Sequence, residues 1–337
     1  VSLTKKTTIA PNPLDQVVKV FDTYMDAKPH YMWGAALWAL HTHVFMQYDK
    51  SPRLTILSPV PNCGKSTVLN ILGAMAWESK RVIDPSEASL LRLANKHSLL
   101  IDEVDNMSIV KRMRSILNDG HSFGGSVSRV QPDKTVVNWP VYGPVALAGI
   151  GKVPATLMSR SVVIRLHRSS KPLERFSPRE HYYASQLHRW AEHSGQNLDP
   201  DPKMPLSMVG RNADKWRPLI AIADYFGRGH LVRSMALTYM NESATLDIRE
   251  SVLRDTQKVF TKTKAKIITT DYLCETLRED KDGDFEVDYT EHKVTKRVLG
   301  NILVEFQIRS RPYRHQRGPV QRCWFREDFE EMWTRYS

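Results

Sequence analysis

Between a short β-rich run, Leu54–Leu57, and a helical pattern from Lys65 to Trp77 lies the segment Pro59-Val60-Pro61-Asn62-Cys63-Gly64-Lys65-Ser66-Thr67. Such a loop aims backbone N–H groups at a helix N-terminus, where the helix dipole also favours negative charge. On this reading Asn62, Cys63, Gly64, Lys65, Ser66 and Thr67 cradle the phosphates of a nucleotide. Gly64 lets the backbone approach closely, Lys65 reaches the β- and γ-phosphates, and the Ser66 hydroxyl ligates Mg²⁺. The first glycine of the usual G-x-x-x-x-G-K-[ST] pattern is Pro59 here. Proline's fixed φ requires a different bend at the loop entry.

A Gly-Lys-Ser-Thr alone is common by chance, so a second element has to support it. Leu99-Leu100-Ile101-Asp102-Glu103 supplies one, an apolar run ending in two acids. Carboxylates at the end of a buried strand are unfavourable unless they meet a cation. In nucleotide hydrolases the strand-end Asp, here Asp102, holds Mg²⁺, and Glu103 stands where a base would activate water. Positive charge on the transferring phosphoryl group is also needed, often from an arginine of a neighbouring subunit. Arg160 is the first candidate, between a short helix and the strand Ser161–Leu166; Arg129 is the second, and Arg165 a weaker third. For each of them a plain surface arginine is the alternative. A late strand ends in Gly149-Ile150-Gly151, without the Asn or Thr that often faces the γ-phosphate. Guanine recognition is not expected, because Asn212-Ala213-Asp214-Lys215 has the wrong order and lies on a helical pattern. The expected nucleotide is ATP, with Mg²⁺.

Strands alternating with helices from about residue 49 to 170 indicate an α/β fold with a parallel sheet covered on both sides. Apolar, helical N-terminal segments precede it at 1–48, including Tyr31–Met46, which is too short to span a bilayer. His41 and His43 on that segment read as packing residues, like Trp33, Trp38 and Trp190. A helical lid is expected at 171–245 and a basic, helix-rich module with a terminal hairpin at 246–337. Three scattered cysteines suggest neither a disulfide framework nor a zinc site. No apolar leader follows the N-terminal residues, so the expectation is a cytoplasmic protein without a membrane role.

The order Gly64-Lys65-Ser66, Asp102-Glu103, a late strand and then Arg160 resembles the AAA+ and superfamily 3 helicase group of P-loop ATPases. More closely, the chain resembles an uncharacterised ATPase family of phages, prophages and integrative elements, often fused to or beside primases. The likeness runs from about residue 35 to 240 and is carried by several blocks. They include Ser51-Pro52-Arg53-Leu54, Ile116-Leu117-Asn118-Asp119-Gly120-His121, Ser159-Arg160-Ser161 and Arg211-Asn212-Ala213-Asp214-Lys215-Trp216-Arg217-Pro218-Leu219. The resemblance implies an AAA+-like fold and an ATP-driven helicase, translocase or remodeller in mobile-element DNA replication. It also implies a ring homo-oligomer, such as a hexamer, with priming by a separately encoded primase.

A net charge of +11 favours a polyanionic partner. From Lys293 to Arg326 nine basic residues face one acid, Glu305. Lys293, Lys296, Arg297, Arg309, Arg311, Arg314 and Arg317 form the candidate contact with DNA, single- or double-stranded, in a winged-helix-like module. Tyr313 and Trp324 are candidate stacking surfaces among them. A solvated basic surface is the plainer alternative. His121-Ser122-Phe123 and the turn at Pro132-Asp133-Lys134 are candidate pore loops, and Arg217 a weak candidate for phosphate, with Trp216 as lid core. Two other functions stay open: an ATP-dependent DNA-binding switch without processive unwinding, and a small-molecule kinase.

Overall fold

The computed structural model describes residues 12–58, 60–104, 107–150, 153–169, 172–178, 183–279, 285, 289, 294–314 and 318–336. The chain forms two compact units, Val1–Tyr239 and Met240–Ser337. Pro59, Gly151, Lys293 and Arg317 lie outside the described residues.

The first unit begins with α1 (Pro13–Tyr24) and α2 (Pro29–His41). Asn12 opens α1, its side chain accepting from the Leu14 and Asp15 amides, with Pro13 at the first helical position. The apolar run expected to continue to Met46 stops as an α-helix at His41, and a single 3₁₀ turn, Phe45–Gln47, follows. Nearly every residue of α2 is buried, His41 included. Burial pushes the His41 imidazole down to about 3, and its Nε2 meets Ser51 Oγ at 3.0 Å. It is a neutral packing group.

β1 (Arg53–Ser58), α3 (Lys65–Met75), β2 (Ser79–Ile83), α4 (Glu87–Leu93), β3 (Ser98–Asp102) and α5 (Met107–Asp119) follow. A hairpin of β4 (Ser126–Val130) and β5 (Val136–Pro140) precedes β6 (Val145–Ile150), α6 (Ala155–Met158) and β7 (Ser161–Arg165). Five strands make one parallel sheet in the order β2-β3-β6-β1-β7, so β6 lies between the strands that lead into the glycine loop and into Asp102. β1 and β3 are buried along their whole length, as apolar strands covered on both faces must be. Each fully buried Leu or Ile there contributes about 1.5–3 kcal/mol. α3 packs against β1, β2, β3 and β6, and α2 against β7.

The two sheet edges are blunted differently. β2 carries Lys80 and Arg81, both exposed. β7 is closed by Tyr239, whose hydroxyl accepts from the Val163 amide at 2.8 Å and donates to the Ser161 carbonyl at 3.4 Å. Tyr239 also stacks edge-on against buried Trp216 of α8 (Gly210–Tyr225), after α7 (Ala184–Ser194). That fixes the Asp214-Lys215-Trp216 stretch as packing, with Arg217 paired to Asp201.

Helix α9 (Gly229–Thr263) reaches into the second unit's residues. There β8 (Ile267–Thr269), α10 (Thr270–Arg278), α11 (Lys296–Glu305), β9 (Arg311–Arg314), β10 (Val320–Phe325) and α12 (Arg326–Tyr336) form a second core. Its three-stranded antiparallel sheet has the order β8-β10-β9. Thr269 and Thr295 cap α10 and α11, accepting from the Tyr272 and Val298 amides. Among the described residues, no helix is long and apolar enough to cross a membrane.

Candidate functional site

The glycine loop leaves the end of β1 and turns into α3 through two left-handed residues, Asn62 at φ 63° and Gly64 at φ 88°. Gly64 is the N-cap of α3, exposed, with no heavy atom within 4 Å of where a Cβ would stand. The α3 N-terminus therefore has open space in front of its unpaired amides, an arrangement that favours an anion. Lys65 lies back on the strand end, its Nζ donating to Ser58 Oγ at 2.6 Å, while Ser58 donates to the Val60 carbonyl at 2.8 Å. Cys63 is buried and donates its Sγ–H to the Val60 carbonyl at 3.3 Å, which pins the loop from inside. Ser66 is exposed and Thr67 half-buried on the first turn of α3.

Asp102 ends β3 at the same C-terminal side of the sheet and is only 8% exposed. Its carboxylate is held on both oxygens: Oδ1 accepts from the Glu103 amide at 3.0 Å, and Oδ2 is paired with the Arg81 guanidinium. Arg81 also donates to Asn70 Oδ1 of α3 at 2.9 Å. Sequence reading missed Arg81 because the edge strand β2 that carries it, Ser-Lys-Arg-Val-Ile, has no apolar run to announce it. Glu103 is exposed and strained, at φ 58°, a value uncommon for a residue other than glycine. The next amide, Val104, donates to the Ala148 carbonyl at 3.0 Å, so the left-handed turn sits beside the end of β6.

The structure thus brings Asn62–Thr67, Asp102 and Glu103 to one end of the sheet. Of the arginine candidates, Arg129 and Arg160 lie elsewhere. Arg129 is on the exposed β4–β5 hairpin, paired with Glu87. Arg160 precedes β7 at the opposite, N-terminal end of the sheet, where its carbonyl accepts from the Arg53 amide at 3.0 Å. Its Nη1 donates to the Thr156 carbonyl at 2.7 Å, and its Nε is buried without a hydrogen bond among the described residues. Arg165, the last residue of β7, stands opposite Leu57 of β1 and so lies at the same C-terminal end of the sheet as the glycine loop. Of the two pore-loop candidates, Phe123 is tied to the Asp49 carbonyl through its amide, whereas the hairpin tip from Pro132 to Thr135 is exposed.

In the second unit the basic residues divide into two sets. Lys296 is paired with Asp271 at 2.7 Å, Arg311 with Glu327 at 2.6 Å, and Arg322 donates to the Ser310 carbonyl at 2.8 Å. Arg297, Arg309 and Arg314 are exposed and make no ion pair among the described residues. Trp324 corrects the sequence reading. It is 1% exposed, opposite Ile268 in the sheet and edge-on to Phe329 at 6.0 Å, so it is core and offers no base a face. Tyr313 is half-buried against Phe325.

Residues 169–336 match a family described as a protein of unknown function, DUF3631. The matched stretch starts after β7 and therefore leaves out the glycine loop, Asp102 and Glu103. The chain is also similar to an uncharacterised 28.9 kDa protein in the xis 5′ region of Saccharopolyspora erythraea, 30% identical over 159 residues. That alignment covers 45% of this chain and 59% of that protein, so the chain spans less than two thirds of the relative's length.

Proposed function

We propose that the first unit is an ATPase of the AAA+-like P-loop kind, and that it works on DNA as a motor or remodeller. The observation that carries this reading is the meeting of Gly64-Lys65-Ser66 and Asp102-Glu103 at one end of a parallel sheet whose middle strand, β6, separates β1 from β3.

The residues present suit Mg²⁺. Ser66 offers a hydroxyl and Asp102 a carboxylate, hard oxygen donors of the kind that hold this ion while water and phosphate fill its other positions. When bound, Mg²⁺ neutralises charge on the β- and γ-phosphate oxygens. Arg81 is paired with Asp102 and gives this buried carboxylate a cation. Lys65 leaves Ser58 for the phosphates. Glu103 takes a proton from the attacking water as its oxygen bonds to the γ-phosphorus. The bond from that phosphorus to the β–γ bridging oxygen breaks, and ADP and phosphate leave.

The second unit supplies the DNA contact in this proposal, in a winged-helix-like arrangement of α10, α11 and the β9–β10 hairpin. With Lys296 and Arg311 already neutralised, Arg297, Arg309 and Arg314 carry the phosphate contacts. Replacing these three by alanine is expected to weaken binding uniformly across sequences and to lower the salt slope by about 1 for each DNA phosphate no longer neutralised. Titrating a labelled duplex and a labelled single strand at several salt concentrations checks this; an unchanged slope counts against the assignment.

One observation favours the second reading, an ATP-controlled switch that assembles on DNA without processive unwinding: β6 ends in Gly149-Ile150, with no polar side chain there to orient water. A single experiment separates the two. ATP turnover is measured with and without DNA while oligomer size is followed, beside Lys65→Ala. A charge-assisted contact is worth about 1.5–3 kcal/mol, so the variant is expected to lose roughly 10- to 150-fold in nucleotide affinity. DNA-stimulated turnover that disappears in Lys65→Ala supports the motor. ATP-dependent assembly with negligible turnover supports the switch, and absence of nucleotide binding removes both.

A further inference from the structure

Three distant segments bring cations together at the N-terminal end of the sheet, away from the glycine loop, around the turn at His121 and Ser122. Lys50 donates to Ser122 Oγ at 2.9 Å, and Ser122 Oγ lies 2.8 Å from His121 Nδ1. Arg211, exposed in the first turn of α8, donates to Ser159 Oγ at 3.2 Å, one residue from Arg160. Arg53 lies beneath, buried. Asp119, the exposed last residue of α5, is the carboxylate that acts on Arg160. Burial, and then the charge of Arg211, pushes the Arg160 guanidinium down, and His121 is pushed to about 3 by burial and by Arg53, Lys50, Arg160 and Arg211. Charges of one sign held this close gain from an anion placed between them.

That anion cannot sit on the chain's own glycine loop. The parallel register sets Arg53 opposite Ser161, so Arg160 stands level with the start of β1, whereas the loop follows its end. Six residues of strand at about 3.3 Å each separate the two by roughly 20 Å. An arginine side chain does not bridge this.

We propose that Arg211 is a second arginine for phosphoryl transfer, acting beside Arg160 on the terminal phosphate of a nucleotide held by the glycine loop of a neighbouring copy of this chain. The proposal rests on the ATPase reading above. It assigns a function to the start of the Arg211–Leu219 block, whose later residues Lys215 and Trp216 are packed. Arg160 and Arg211 share the charge on the γ-phosphate oxygens; Lys50 and His121 hold the Ser122 turn beside them.

The test mixes two defective variants. Arg211→Gln keeps the neighbour's loop intact, and because Arg211 is exposed it is expected to melt with the wild type and to bind a fluorescent ATP analogue as tightly when dilute. Its turnover at assembling concentrations is expected to fall roughly 10- to 150-fold, the worth of a charge-assisted contact. Lys65→Ala has the defective loop and an intact arginine pair. Mixed one to one before ATP is added, about one head-to-tail interface in four joins a sound loop to a sound arginine pair. Turnover of the mixture well above that of either variant is the expected result. A mixture no faster than its components places Arg211 in service of its own chain and overturns the proposal, as does an Arg211→Gln variant of full activity. If the wild type itself neither binds nor hydrolyses ATP, it is the ATPase reading that fails.

Discussion

Glu103→Gln is expected to bind ATP as the wild type does and to stop turning it over. A positioned general base contributes about 10²–10⁴-fold, and the amide keeps the size and hydrogen-bonding reach of the side chain while losing the ability to take a proton. The position is strained in a way that suits this role. β3 is buried to its last residue, and the backbone then enters the left-handed region at Glu103, which leaves the acid exposed while Val104 returns to bond β6. A non-glycine residue at positive φ carries a conformational cost of about 1–3 kcal/mol that the surrounding structure must hold in place. Glu103→Gln keeps that cost unchanged, so its folding should match the wild type. Asp102, with both oxygens engaged by Arg81 and the Glu103 amide, is the poorer base. The check is single-turnover hydrolysis beside nucleotide affinity and oligomer size. Unchanged affinity, a stable ATP-bound assembly and a loss of at least about a hundredfold are the expected set. Full turnover in Glu103→Gln would remove Glu103 from the chemistry and leave the switch as the better reading.

The parts of this site that were legible in the sequence are those whose physics is local. An apolar run with no polar face announces a strand buried on both sides, which made β3 and β6 visible, while β1 and β7 were visible as short β-rich runs. A glycine, lysine and serine between strand and helix announce the loop. What stayed hidden was set by tertiary contact. β2, Ser-Lys-Arg-Val-Ile, has neither an apolar run nor an alternating face and is a strand because β3 pairs with it; β8 is three residues long; and α12 follows β10 without a break, so the terminal hairpin hid it. Trp324 sits among arginines in sequence, yet it faces Phe329 and the core in space. Arg81 and Arg211 became site residues only when the fold placed them beside Asp102 and Ser159. No periodicity marks such a neighbour.

Arg53→Ala is expected to be the most damaging single change in the first unit outside its apolar core. Arg53 is fully buried, yet its described hydrogen-bond partners are carbonyls: Nε and Nη2 donate to Leu117 O at 3.2 and 3.0 Å, and Nη1 donates to Gly143 O. Leu117 lies in the last turn of α5, whose final carbonyls have no partner within the helix and carry the negative end of its dipole. The guanidinium caps that end, so a buried cation is tolerated here although burial pushes it down to about 9. The surroundings are cut to its shape. A Cβ on Gly120 would stand 2.8 Å from Arg53 Nη2 and 2.2 Å from the Val141 carbonyl. Removing the side chain opens a cavity and strands two carbonyls, a loss on the order of 3 kcal/mol or more. For a unit of this size that is a fall in melting temperature of roughly 6–12 °C. Arg53→Met separates the causes, since it fills most of the space and removes the buried charge while still failing the carbonyls. A smaller fall than in Arg53→Ala assigns the difference to packing; an equal fall assigns it to the cap. If neither variant melts early, the α5 terminus is held by other contacts and the account is wrong. The position also adjoins the arginine pair, since the Arg53 amide bonds the Arg160 carbonyl, a backbone contact that both variants keep. Arg53→Met that folds but loses turnover, with loop-bound nucleotide affinity intact, would mark Arg53 as a residue that positions Arg160.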